Sequence, residues 1–251
     1  MLHDIDSLSA AVNAGDGVPV RQRSPCATCH LRNEHFCGAL FGNGADAALR
    51  GTSRLIAARQ NIYRAGEATD GVLVVCDGWA VRFVQLPDGR RQILSLLLPG
   101  DLVSPTAILE RRFGFSIQAL TAVRMCAFPP AQLRARILHD PAAFELWLDA
   151  IAGALRDAER RLVDLGQRTA QQRIAALIVH AMARCQERGE LDDDEFAFPL
   201  SQQQIADFAG LTPVHTCRVV RSLRNDGICD IGRGVVKILD RAALSRIGSL
   251  R

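Results

Sequence analysis

The sequence predicts an α+β chain in which a strand-rich half leads into a long helix and then a winged helix-turn-helix. Three observations carry that expectation. Short apolar runs broken by turn residues fill the first half, a heptad-spaced apolar seam occupies the middle, and two capped helices flank one glycine turn near the C-terminus.

Length and composition set the frame. At 251 residues and 48% hydrophobic, the chain can bury one large core or two modest ones. A net charge of +3 is only mildly basic, so any affinity for nucleic acid must come from locally clustered Arg. No run is long and apolar enough to span a bilayer, and MLHDIDSLSA lacks the basic-then-apolar order of a signal peptide. A cytoplasmic location with no membrane partner is therefore expected. In that reducing compartment the eight Cys are candidates for metal, redox or core roles rather than disulfides. Nucleophile elbow, P-loop and dinucleotide fingerprint are all absent from the sequence, which argues against an enzyme.

The elements follow in order. Residues 1–24 are polar and aperiodic, a flexible leader, and 25–45 form a loop holding CATCHLRNEHFC. Over 46–135, the runs GVLVVCDG, AVRFVQL, RQILSLLL and SIQALTAVRMCAF read as short strands of a barrel or sandwich. Turns at Pro87-Asp88-Gly89 and Pro99-Gly100-Asp101 separate them. Helices occupy 139–186. In the first, about six turns long, Phe144, Leu148, Ile151, Leu155, Ala158, Leu162 and Leu165 alternate steps of four and three. This narrow seam favours a homodimer through the 144–165 helix over packing on its own domain. A second amphipathic helix, TAQQRIAALIVHAMARC, ends at Gly189, and the acidic LDDDE reads as a surface linker.

The last segment, 187–251, carries the helix-turn-helix. Ser201 caps QQQIADFAG, Gly210 ends that helix, Leu211 plugs the turn, and Thr212 caps a helix with Pro213 at its first position. Val219, Val220 and Leu223 form its apolar side, leaving His215, Arg218, Arg221 and Arg224 to point outward. A hairpin in ICDIGRGVVKILD supplies a wing. The arrangement suits duplex DNA with two half-sites. The expected interface is Ser201, Gln202, Thr212, Val214, His215, Arg218 and Arg221, with Arg218 reading guanine and Arg221 and Ser201 holding phosphates.

The cysteines offer a second chemistry. Cys26, Cys29 and Cys37 are spaced C-x2-C-x7-C, which brings three thiolates to one metal centre and leaves a fourth position open. Zinc is an alternative occupant of such a thiolate site, or of three thiols with His30 or His35. Cys76, Cys185, Cys217 and Cys229 lie in apolar stretches and read as small core residues, Cys76 being the one to watch as a further ligand.

With LPGDLVSP, QALTAVRMCAFP, LGQRTAQQRIAALI and LSQQQIADFAGLTPVHTCRVVRSLR in place, residues 26 to about 245 resemble the CRP/FNR superfamily of bacterial regulators, in its FNR/FnrN-like branch. The resemblance implies a cyclic-nucleotide-binding-like β-roll, a long dimerisation helix and a winged helix-turn-helix. It further implies a [4Fe–4S] cluster on Cys26, Cys29, Cys37 and Cys126 that answers oxygen or redox state by promoting dimerisation and promoter binding, and RNA polymerase as a partner. The departures are Val214 and Cys217, where the FNR branch keeps Glu and Ser. SPTAILERRFGFSIQAL also lacks the Arg-Ser phosphate contact of cyclic-nucleotide binders, so no cyclic nucleotide is expected, and Arg111 and Arg112 read as a solvated loop.

Overall fold

The computed structural model describes residues 22–23, 29, 31, 36–37, 51–69, 71–110 and 112–249. The chain divides into two compact units, Met1–Val84 with Leu96–Ala154, and Gln85–Ser95 with Leu155–Arg251. The division falls inside the long helix.

Strands β1 (Gln22–Arg23), β2 (Thr52–Ile56), β3 (Asn61–Tyr63), β4 (Val72–Asp77), β5 (Ala80–Gln85), β6 (Arg91–Leu97), β7 (Ser116–Ala119) and β8 (Val123–Phe128) form two four-stranded sheets. Their orders are β1-β2-β8-β4 and β3-β7-β5-β6. The short β1 pairs with β2 at Gln22↔Ser53 and Arg23↔Thr52, so the expected leader ends in a strand. β8 lies between β2 and β4, antiparallel to both.

β4 shows why the sequence run GVLVVCDG reads as apolar throughout. Val72, Leu73, Val74 and Val75 are all fully buried, on both faces of the strand, although β4 is the last strand of its sheet. Its open edge is covered by LPGDLVSP: Gly100 N–H donates to Val75 O (2.8 Å), Val75 N–H to Asp101 O (3.0 Å) and Val103 N–H to Leu73 O (2.9 Å). The Asp101 carboxylate accepts from Leu98 N–H at 2.6 Å and fixes that turn.

Helix α1 (Pro130–His139) falls partly within the stretch expected to be strands; its buried face is only Leu133 and Ile137, too short a stripe to show as a period. Helix α2 (Pro141–Gln167) runs 27 residues, longer than the six turns expected. Ala143 and Trp147 are buried near its start and Asp164 near its end, with the Trp147 ring 5.8 Å from that of Phe36. Among the described residues no helix is long and apolar enough to cross a membrane.

In the second unit, α3 (Ala170–Glu187) starts with a capping box between Thr169 and Gln172. Helix α4 (Gln202–Ala209) and helix α5 (Pro213–Asn225) are followed by a wing, in which β10 (Cys229–Gly232), β11 (Val235–Ile238) and β9 (Glu195–Ala197) pair antiparallel in that order. Helix α6 (Arg241–Gly248) closes the unit against α3, so closely that a Cβ on Gly248 would meet the Ala175 backbone at 2.8 Å. The acidic segment expected to be a linker is part of this architecture. Asp194 O accepts from Ile238 N–H at 2.8 Å, and the Asp194 carboxylate pairs with Arg241.

The carboxyl end of α4 is held by cations from distant sequence. Arg91 donates Nε and Nη2 to the buried Asp207 carboxylate (3.0 and 2.9 Å), whose other oxygen accepts from Gln203 at 2.7 Å. Gln92 donates to Phe208 O (3.1 Å) and Arg173 to Ala209 O (3.2 Å), satisfying carbonyls that a helix end leaves open. Arg161 lies 3.6 Å over the Phe208 ring, and its guanidinium is pushed down to about 10, chiefly by burial, against the opposing pull of Asp164. Removing the carboxylate takes away the acceptor that Arg91 and Gln203 share. Asp207→Ala should lower stability by about 1–3 kcal/mol in urea unfolding, with Arg91→Ala non-additive in the double mutant; additive losses would mean the pair is not coupled.

Candidate functional site

The helix-turn-helix is built by local signals that the structure places one after another. Ser201 Oγ accepts from Gln204 N–H (3.2 Å) while the Gln204 side chain accepts from Ser201 N–H (2.8 Å), so α4 begins in a full capping box. Gly210 ends it with φ +64°, and a Cβ there would sit 3.0 Å from a Leu165 methyl, which leaves glycine as the fitting residue. Thr212 Oγ1 accepts from His215 N–H at 3.2 Å, and Pro213 occupies the first turn of α5, where no amide is missed.

Thr216, Val219 and Leu223 are the buried side of α5. Val220, expected with them, is half-buried, while Thr216 was not expected there at all. Every residue of the expected interface stands on the opposite side or at the helix starts: Ser201, Gln202, Thr212, Val214, His215, Arg218 and Arg221 are all exposed, Val214 by 63%. One correction concerns Arg224. Instead of pointing away freely, its guanidinium is held by Asp230 of the wing, with Nε 2.7 Å from Oδ1. The hairpin of the wing turns through Arg233 (φ +53°) and Gly234 (φ +80°), the paired left-handed geometry of a tight two-residue turn.

The thiols converge in the first unit. Cys37, Cys76 and Cys126 are buried in one core cluster, with Cys29 packed against it and half-buried. Cys126 faces Ser53 on β2 and Val74 on β4, and its Sγ lies 2.8 Å from Cys76 Sγ. The Cys76 thiol is held far above its ordinary value by its hydrogen bond with Cys126 and by burial; Cys126, Cys37 and Cys29 each add repulsion. That places Cys126, Cys37 and Cys29 within electrostatic reach of Cys76, which its sequence context presents as a plain core residue. Cys26, His30, His35 and Arg111 lie outside the described residues. Among the described residues, no three ligating side chains already stand around one ion position. The donors are nonetheless all thiols in an apolar enclosure, a set that fits a thiophilic iron–sulfur or zinc centre. Arg112 donates to Gly66 O at 2.5 Å from an exposed position, in keeping with a solvated loop.

Comparison with known proteins places the two halves. A Crp-like helix-turn-helix domain matches residues 172–247, and a cyclic nucleotide-binding domain matches residues 53–140. The nitrogen fixation regulation protein FixK of Azorhizobium caulinodans is 32% identical over 205 residues, covering 80% of this chain and 81% of that protein. The transcriptional activator protein FnrL of Cereibacter sphaeroides is 28% identical over 249 residues, covering 97% and 94%. The structure of FixK2 from Bradyrhizobium japonicum superimposes with a TM-score of 0.70 at 24% identity, over 80% of this chain and 98% of that one, and so shares its fold.

Burial separates the remaining thiols. Cys185 is pushed up to about 12 and Cys229 up to about 11, both chiefly by burial, whereas Cys217 is half-buried on α5. Because the thiolate is the nucleophile, alkylation of Cys185 and Cys229 in the native protein should rise about tenfold per pH unit from pH 7 to 10. Cys217 should be labelled ahead of both at pH 8, as read by mass spectrometry; equal labelling of all three would contradict the burial described.

Proposed function

Because this chain belongs to the CRP/FNR family of transcriptional regulators, a family of regulators rather than enzymes, we propose that it binds promoter DNA as a homodimer under the control of a thiol-held [4Fe–4S] cluster. The observation that carries the reading is the exposed face of α5, which presents Val214, His215, Arg218 and Arg221 together while its other face is packed into the unit. A helix so presented enters the major groove. Arg218 there donates two hydrogen bonds to guanine O6 and N7, Arg221 and Ser201 contact phosphates, and the Val214 side chain meets a thymine methyl. Gln202 and Thr212, exposed at the helix starts, offer further backbone contacts. Valine cannot accept from cytosine N4 as the Glu of the FNR branch would, so the preferred half-site differs from that of Glu-bearing relatives.

Homodimerisation follows from α2. Phe144, Leu148, Ile151, Leu155 and Leu162 are 46%, 47%, 40%, 59% and 73% exposed, one apolar stripe without cover in the single chain. Two copies of that stripe cover each other and supply two recognition helices for two half-sites. Leu165, the last member of the expected seam, instead lies against the Gly210 turn of its own unit.

Cys26, Cys29, Cys37 and Cys126 would hold the cluster. When bound, it supplies an oxygen-labile crosslink between the N-terminal loop and β8. The chain's own contribution is to gather thiols in an apolar core, where a cation would draw them to thiolates. Assembly of the loop against β8 then favours the dimer, and DNA affinity follows association.

The DNA contacts are tested on a duplex selected from a random pool. Arg218→Ala should weaken binding by about 1–3 kcal/mol, roughly 5- to 150-fold, and relax one base position. Arg221→Ala should weaken all sequences alike and reduce the salt slope by about 0.9 per protomer. Binding that does not depend on salt, or an Arg218→Ala loss equal on every sequence, would contradict the assignment.

A further inference from the structure

Cys76 is outside the ligand set taken from the resemblance, yet its sulfur is the one in contact with Cys126, at 2.8 Å. The backbone explains the encounter. β4 and β8 pair antiparallel with Val74 opposite Cys126 and Val75 opposite Met125, and the register then slips before Asp77 meets Arg124. The slip leaves Cys76 without a ladder partner. Two residues on from Val74, it shares that residue's face of the strand, and the bulge turns its side chain toward Cys126.

The separation discriminates between two uses of a thiol pair. Two thiolates on one tetrahedral ion, each at about 2.3 Å, stand about 3.8 Å apart. A disulfide needs about 2.05 Å. The observed pair is closer than co-ligands of one ion and needs a shift of roughly 0.8 Å to bond.

We propose that Cys76 and Cys126 are a redox pair that closes an intrachain disulfide between β4 and β8, and that this bond withdraws Cys126 from the thiol centre. The second clause rests on Cys126 being a cluster ligand; the first does not. With a peroxide as oxidant, the sulfur of one thiol attacks a peroxide oxygen, the O–O bond breaks, and one water leaves a sulfenic acid behind. The sulfur of the other thiol attacks that sulfur, the S–O bond breaks, and a second water departs. Two thiols thus give up two electrons and two protons, and the peroxide is reduced to two waters. Both residues are buried, so the reaction is confined to small oxidants, and an external dithiol reverses it.

The test uses the full-length metal-free protein, treated with hydrogen peroxide, blocked at its remaining thiols, digested and mapped by mass spectrometry. The expected product joins the Cys76 and Cys126 peptides, in roughly tenfold excess over any other cysteine pair. Cys26→Ser, which lacks one cluster ligand, should form it equally well, keeping this outcome separate from the cluster reading. Pairing of Cys126 with Cys29 or Cys37 instead, or no crosslink at all, overturns the proposal, and the wild-type map needs no variant to fold. Iron uptake on reconstitution tests the second clause. Peroxide-treated wild type should take up little iron until dithiothreitol is added, while Cys76→Ser, checked for folding by circular dichroism, should keep its uptake. A crosslinked protein that still loads iron fully removes the withdrawal of Cys126 and, with it, Cys126 as ligand.

Discussion

A stripe of Phe144, Leu148, Ile151, Leu155 and Leu162 left in water is the constraint from which the rest of this molecule's behaviour follows. Covering the exposed part of each such side chain gains about 1 kcal/mol, which in the proposed homodimer is set against the cost of association. In the proposed homodimer, two copies supply two recognition helices about 34 Å apart along a duplex, and affinity for DNA is tied to protein association.

The thiol core works on the opposite principle. Burial and the contact with Cys126 disfavour the thiolate of Cys76. In the proposed reading a cation draws protons off these thiols and an oxidant joins two of the sulfurs, and both act at Cys126, which lies on the strand shared between β2 and β4.

Much of the DNA-reading half was legible in the sequence because its determinants are local. Ser201 with Gln204, Gly210, Thr212 and Pro213 act within four residues of themselves, and the structure uses each as its type requires. The apolar period of α2 was equally plain, although its last member, Leu165, turned inward. What could not be read were contacts without sequence proximity. Asp207 meets Arg91 across 116 residues. Arg224 looked free on a helical wheel because Asp230 reaches it from a strand that the wheel does not contain. Cys76 looked like core filler because the unbroken apolar run of β4 says nothing of a register slip against β8. The acidic loop read as a linker for the same reason, since Arg241 and Ile238 hold it from beyond its own window.

We propose that thiol chemistry sets association and that association sets DNA binding. Sedimentation velocity of anaerobically isolated protein, followed at visible and ultraviolet wavelengths before and after air, separates the outcomes. A coloured dimer that loses its visible absorbance and becomes a monomer on exposure is expected. A colourless protein holding zinc, or a sedimentation coefficient unchanged by the loss of colour, would contradict it.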